Sequence, residues 1–389
     1  MKANPGGNLD PDSVYGRDAL INLLWGRLES QSVLLNAERR IGKTQVLLKM
    51  QAEPRAGWRP VFKDLEKIHS AQEFAELVYD EVQQFLGTVT TAKNFLRRLL
   101  EDNETDYVNL KGRTWKKLLT SAVEDLMQAD PSEQLVFFWD EVPYMLGNIL
   151  RSPDDGPSVA AEVLDTIRSL RVEHPKFRVV FTGSIGIHHI LGLLSAAGIP
   201  TSAKNDMYQM SVTPLAPTDA EKLAADLLTG EGISSPNLQE AAATIAEEVD
   251  YFPYYIHHVV AGLRLEQQSA SESNIKDFVA RQLVDANDPW QLAHYRDRLT
   301  VYYPNDDDAD NVAIILDVLA TTEAAADSRS VDQLFDEARS VGATLKDRND
   351  LLRLLRLMDA DHYLSRETDG TYKFRFPLIR RWWKLDRGL

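Results

Sequence analysis

The chain has 389 residues, 44% of them hydrophobic and 26% charged, which gives room for two or three globular domains with a sizeable core. It contains no cysteine, so disulfides, thiolate metal sites and iron–sulfur clusters are excluded. A net charge of −16 argues against general nucleic-acid binding, and no apolar run reaches the ~18 residues of a membrane span or resembles a signal peptide, so a cytoplasmic protein without membrane contact is expected.

Residues 1–14 read as a Pro/Gly/Asp-rich lead-in. Tyr15-Gly16-Arg17-Asp18 then opens a helix whose Leu20, Leu23, Leu24 and Leu28 fall at helical spacing and predict one buried face. Next comes V-L-L-N-A-E-R-R-I-G-K-T, from Val33 to Thr44: a short strand, a loop ending Gly42-Lys43-Thr44, and a helical pattern from Val46. That order is a phosphate-binding loop. Backbone N–H groups of Arg39, Arg40, Ile41, Gly42 and Gln45 would face anionic phosphates, Gly42 lets the main chain approach, Lys43 reaches the terminal phosphates, and the Thr44 hydroxyl is offered to Mg²⁺. Ala37 stands where the pattern G-x-x-x-x-G-K-[ST] has its first glycine. If that position required φ > 0, alanine would strain it by roughly 1 kcal/mol.

A second strand is predicted at 61–65, and Ser70-Ala71-Gln72-Glu73 reads as a capping box before another helix. Residues 85–130 are predicted mainly helical around a charged stretch at 101–106. The run Leu135-Val136-Phe137-Phe138-Trp139-Asp140-Glu141 predicts a strand buried on both faces, with two carboxylates at its C-terminal end, where open α/β sheets bind ligands. Asp140 would order the metal and Glu141 would polarise the attacking water. Strands at 178–181 and 208–212 complete five, separated by helices, so a parallel sheet is expected. Thr182 and Ser184, after the fourth strand, could sense the γ-phosphate. Thr182-Gly183-Ser184-Ile185-Gly186 also comes within one residue of a serine-hydrolase elbow, a reading that leaves both nucleotide motifs without a role.

After Pro214 the pattern is helical to about Val284, with Thr218-Asp219-Ala220-Glu221 as a second capping box and Ser235-Pro236 as a helix start. His188-His189 and His257-His258 are neighbours in sequence, so on a helix each pair points to different faces and reads as ordinary histidine rather than metal ligands. Asp306, Asp308, Asp310 and Asp317 match part of a calcium-loop template, but Asn311 replaces its glycine and a helix already starts there, so a solvated acidic connector is expected. The last segment reads helix, helix, helix, hairpin, helix, with Asp369-Gly370 as the hairpin turn, which is a winged-helix order. Residues 340–389 carry 11 Lys+Arg against 7 Asp+Glu. Arg348, Arg353, Arg356, Arg366, Lys373 and Arg375 could meet duplex DNA; the other reading is a domain packed on the ATPase core or a protein partner, its cations diluted by Asp347, Asp350, Asp359 and Asp361. The expected domains are a P-loop ATPase core at 1–215, a helical lid at 216–285, a connector at 286–310 and a winged helix at 311–389.

On Gly16-Arg17-Asp18, Arg39 to Thr44, Asp140-Glu141-Val142-Pro143-Tyr144, Thr182-Gly183-Ser184 and Phe252-Pro253-Tyr254-Tyr255, the chain from Tyr15 onward resembles the prokaryotic AAA+/STAND-like P-loop ATPases, those called archaeal-type ATPases above all. The resemblance implies a five-stranded sheet in the order 5-1-4-3-2, ATP or ADP with Mg²⁺ as ligands, and Tyr15, Gly16, Arg17 and Pro253 beside the adenine. It also implies an arginine finger before the last strand, yet 186–212 has no arginine and only Lys204, which predicts slow hydrolysis or a finger supplied by a homo-oligomer or protein partner. Three functions are thereby set against one another: an ATP-hydrolysing switch, a nucleotide-stabilised adaptor with little turnover, and a winged-helix DNA binder.

Overall fold

The computed structural model describes residues 1–7, 9–86, 110–128, 133–183, 186–303, 305–322 and 327–389, with the backbone alone at 110–114 and 306. The expected charged stretch at 101–106 and the Ser184 hydroxyl lie outside the described residues. Two compact units emerge, one of Arg17–Ala37 and Lys43–Val212, the other of Met1–Gly16, Glu38–Gly42 and Thr213–Leu389.

The first unit is built on a parallel sheet of β1 (Val33–Ala37), β2 (Trp58–Asp64), β3 (Gln134–Asp140), β4 (Arg178–Thr182) and β5 (Tyr208–Val212). Their order is β2-β3-β4-β1-β5, the predicted 5-1-4-3-2 read from the other edge. β1 pairs with β4 on one side (Val33 opposite Val180) and β5 on the other (Val33 opposite Tyr208). Helix α1 (Asp18–Leu28) precedes the sheet, and α2 (Lys43–Ala52), α3 (Ala71–Leu86), α4 (Leu110–Gln128), α5 (Val142–Leu150), α6 (Gly156–Glu173) and α7 (Ile187–Ala196) lie in the connections between strands. The apolar run of β3 is buried throughout, and Phe137 and Trp139 share the core with Phe74, Phe177 and Phe181. Each such side chain contributes roughly 1.5–3 kcal/mol. Ser70 caps α3 by accepting from the Glu73 N–H at 3.2 Å. The face of α1 differs from expectation: Leu23 is 46% exposed and Trp25 is buried in its place. The indole packs on Trp58 and Phe138, and its larger apolar area rotates the helix toward it.

The second unit holds α8 (Pro217–Glu231), α9 (Leu238–Glu248), α10 (Pro253–Leu265) and α11 (Glu272–Gln282), then short α12 (His294–Asp297) and α13 (Leu299–Tyr302). α14 (Asp306–Thr321), α15 (Val331–Ser340), α16 (Arg348–Ala360), an antiparallel pair β6 (Leu364–Arg366) and β7 (Tyr372–Phe374), and α17 (Pro377–Asp386) follow. The hairpin turn is where Asp369-Gly370 placed it, with Gly370 at φ 87. Two expected starts move. Thr218 is not a cap, because α8 begins on Pro217, whose fixed φ suits the first helical position. Past Pro236 the next helix begins at Leu238, where the Asn237 side chain accepts from the Glu240 N–H. α14 begins at Asp306, ahead of the expected Asn311, since acidic residues in a first turn favour the helix dipole. Asp308 pairs there with Arg353 at 2.6 Å and Asp317 with Arg387 at 2.9 Å, so those carboxylates serve the packing of helices.

The end of α9 and helix α17 are joined within this unit. Asp250 accepts from the Leu378 N–H at 2.6 Å and so caps α17 from outside it, Arg381 meets Glu248 at 2.7 Å, and Phe252 stands edge-on to Phe376. Among the described residues no helix is long and apolar enough to cross a membrane.

Candidate phosphate-binding site

Five predicted residues, Lys43, Thr44, Asp140, Glu141 and Thr182, lie at or just beyond the C-terminal ends of β1, β3 and β4 in the first unit. Lys43, the first residue of α2, is 7% exposed, and its Nζ donates to the Ala37 carbonyl at 3.1 Å and the Gly183 carbonyl at 2.5 Å. The Thr44 hydroxyl donates to Asp140 Oδ2 at 2.7 Å, and Asp140 Oδ1 accepts from the Glu141 N–H at 3.1 Å. Glu141 sits at φ 58, a left-handed conformation that costs on the order of 1 kcal/mol or more and aims the residue off the strand axis. The Thr182 hydroxyl is buried and has no hydrogen-bond partner among the described residues. An orphaned buried hydroxyl is an expensive feature unless a ligand completes it.

In the second unit, Gly42 has φ 96, and a Cβ added there would stand 4.0 Å from Pro253 Cγ, so backbone conformation rather than space demands glycine. The strain expected at Ala37 does not arise, for its φ is not positive. It falls instead on Arg40, at φ 66. Arg40 is held by hydrogen bonds to the Trp290 carbonyl and Gln291 Oε1, and its guanidinium lies 4.5 Å from the Tyr254 ring. Arg39 is exposed, Ile41 is buried and Gln45 half-buried. Tyr15 donates to Asp226 at 2.6 Å, and burial together with that carboxylate pushes its phenol up to about 12. Gly16 has φ 61, and any Cβ there would lie 2.7 Å from Asp219, so both conformation and space exclude other residues. Arg17 is buried, in the first unit.

Sequence reasoning missed Glu38. It is 2% exposed, accepts from the Arg39 N–H at 2.7 Å, and pairs with Arg298 at 3.1 Å. No local pattern names a partner 260 residues away.

Most of the cations considered for DNA are engaged inside the C-terminal segment. Arg348 pairs with Asp332, Arg353 with Asp308 and Asp350, Lys373 with Glu367, and Arg375 with Asp359. Arg356 and Arg366 are exposed. A patch so neutralised offers few phosphate contacts.

No protein-family model matches the chain, and no curated protein does. Among solved structures, the Walker-type ATPase Paby2304 of Pyrococcus abyssi superposes with a TM-score of 0.64 at 15% identity, over 99% of this chain and 100% of that one. Cdc6p from Pyrobaculum aerophilum (0.43, 12%, 95% and 94%) and the Thermotoga maritima RuvB Holliday junction branch migration motor (0.41, 10%, 92% and 91%) are more distant. The chain thus shares its fold, a five-stranded parallel sheet followed by helices, with that Walker-type ATPase.

Proposed function

We propose that the chain is an ATP-binding switch that hydrolyses ATP slowly, with Mg²⁺, and passes its nucleotide state to a C-terminal winged helix that engages a protein partner. The observations that carry this reading are the contacts of Thr44 with Asp140 and of Lys43 with the Gly183 carbonyl, together with the orphaned hydroxyl of Thr182, the residue before Gly183. Lys43 would exchange its two carbonyl partners for β- and γ-phosphate oxygens. Thr44 and Asp140, a hydroxyl and a carboxylate 2.7 Å apart, are hard oxygen donors of the kind Mg²⁺ takes, and the ion would neutralise phosphate charge. The N–H groups from Arg40 to Gln45 would cradle the phosphates, while the Arg39 N–H is taken by Glu38, and Tyr15, Gly16, Arg17 and Pro253 are assigned to the adenine. Glu141 would accept a proton from the attacking water as the bond between the γ-phosphorus and the bridging oxygen breaks and ADP departs. Thr182, with Ser184, would donate to the γ-phosphate.

The absence of arginine from 186–212 removes the usual in-chain source of a finger worth 10³–10⁵ in rate. That favours slow turnover, and in the limit an adaptor that holds nucleotide without spending it. Steady-state phosphate release by the purified full chain separates the two. Release abolished by Lys43→Ala supports the ATPase. Tight nucleotide binding with no release supports the adaptor, and absence of binding refutes both. The paired cations of the C-terminal segment favour a protein over DNA as the partner; duplex DNA bound with a steep salt dependence would reverse that choice.

A further inference from the structure

Glu38 is the first residue after β1, at the start of the phosphate loop, where a bare carboxylate would oppose an anionic ligand. Its side chain is 1% exposed, so water does little to screen it. What neutralises it is Arg298, in the connector between α12 and α13, through Nη1 to Glu38 Oε1 at 3.1 Å and Nη2 to Oε2 at 3.4 Å. Arg298 is itself fixed. Its Nε donates to the Tyr363 hydroxyl at 2.8 Å and its Nη2 to the Asp361 carbonyl at 3.1 Å, and the rings of Tyr295, Tyr302 and Tyr363 stand 4.4, 5.4 and 4.2 Å from the guanidinium. The Tyr363 hydroxyl donates onward to the Tyr295 carbonyl at 2.6 Å. Asp361 and Tyr363 directly precede the first hairpin strand, so the loop carboxylate is held from the C-terminal segment. The same connector grips Arg40 through Trp290 and Gln291.

We propose that Arg298 is a positioning residue for the phosphate loop: by pairing with Glu38 it cancels the loop's one buried negative charge and fixes its first turn, so that the C-terminal segment sets nucleotide affinity. The inference rests on the nucleotide-binding reading above and names the regulation of that site. Burial alone would raise the Glu38 carboxyl, but the Arg298 charge brings it below its ordinary range, so the pair is ionised. Glu38 accepting from the Arg39 N–H sets the direction in which that amide points. If the C-terminal segment shifted and withdrew Arg298, the loop would regain a buried charge that repels a triphosphate more strongly than a diphosphate.

The test is a titration of the full chain with fluorescent ADP and a fluorescent non-hydrolysable ATP analogue, each with Mg²⁺, alongside thermal unfolding without nucleotide. Arg298→Met should weaken the ATP analogue by at least about tenfold and ADP by less, because the unpaired carboxylate acts on ligand charge. Glu38→Gln combined with Arg298→Met should recover most of that loss, and Arg298→Lys, which keeps the charge, should stay within a few-fold of the parent. Arg171→Met, which breaks a buried pair in the sheet unit, is the control for destabilisation alone. If Arg298→Met weakens binding no more than Arg171→Met, or weakens both nucleotides equally and is not rescued by the neutral double variant, the positioning role is wrong. Should Arg298→Met not fold, Arg298→Gln introduces the same charge imbalance and leaves a donor for Tyr363. Failure of the parent chain to bind either nucleotide would instead overturn the nucleotide reading itself.

Discussion

The hydroxyl of Thr44 and the carboxylate of Asp140, 96 residues apart in the chain, meet at 2.7 Å across the ends of two strands that are not neighbours in the sheet. β4 lies between β3 and β1, so the contact is made by α2 and its loop leaning over the sheet's C-terminal edge. A pairing of this kind sets up separable losses of function.

Lys43→Ala should abolish nucleotide binding, because it removes the buried cation at the start of α2 that is proposed to hold the terminal phosphates. Glu141→Gln should keep ATP while losing turnover by at least about 10²-fold, since the group lost is the proposed proton acceptor. Equilibrium binding and phosphate release measure the two separately; normal turnover in either variant contradicts the assignment.

Thr182→Val replaces an orphaned hydroxyl by a methyl of the same shape. The ligand-free protein should be unchanged or slightly more stable, since an unmet buried polar group costs about 1–3 kcal/mol. Turnover should fall on the order of 10–100-fold if the hydroxyl donates to the γ-phosphate. A variant that loses stability and keeps its rate would make Thr182 a structural residue.

Asp250 gives a signature in pH. Burial pushes its carboxyl up to about 7, against the opposing pull of the Leu378 amide and Arg381. The folded protein therefore holds a proton that the unfolded chain, titrating near 4, releases. This group's contribution is full below pH 4 and declines as pH rises to 7. Asp250→Asn should raise stability at pH 8 by at most about 4 kcal/mol, at ~1.36 kcal/mol per pKa unit, seen as a higher melting temperature, and change little at pH 4. Melting curves at the two pH values decide it.

Arg171 makes the opposite case. Its Nε and Nη2 reach Asp206 at 2.8 and 2.9 Å and its Nη2 the Ala203 carbonyl at 2.6 Å, fixing the approach to β5. Burial would raise the Asp206 carboxyl, but the Arg171 hydrogen bonds and charge bring it down. That stabilisation is complete above pH 4 and lost as pH falls further. Arg171→Met should cost roughly 3–5 kcal/mol at neutral pH, read by denaturant unfolding, and less in acid.

The sheet was legible because β1, β3 and β4 are short apolar runs between helix signals, and 208–212, though mixed with polar residues, matches β5 residue for residue. Lys43, Thr44 and Asp140 could be assigned together because the loop and the end of β3 each carry their own pattern. Thr182 was named from its place after a strand, although the want of a partner is a property of packing alone. Glu38 with Arg298, and Asp250 with Leu378, could not be read, since neither residue sits in a spacing that points to the other. The strain at Arg40 was misplaced to Ala37 because a consensus records residue types, whereas the connector that forces φ positive is supplied by Trp290 and Gln291.

The position of β1 has a consequence for biosynthesis. It leaves the ribosome within the first 40 residues, yet both of its edges wait for partners encoded far downstream, at 178–182 and 208–212. At about 5–20 residues per second, the nascent segment Val33-Leu34-Leu35 stays unpaired for on the order of ten seconds. This interior strand is thus the last to be closed in, and release of a truncated polypeptide before residue 212 would leave a sticky apolar ribbon for chaperones to shield.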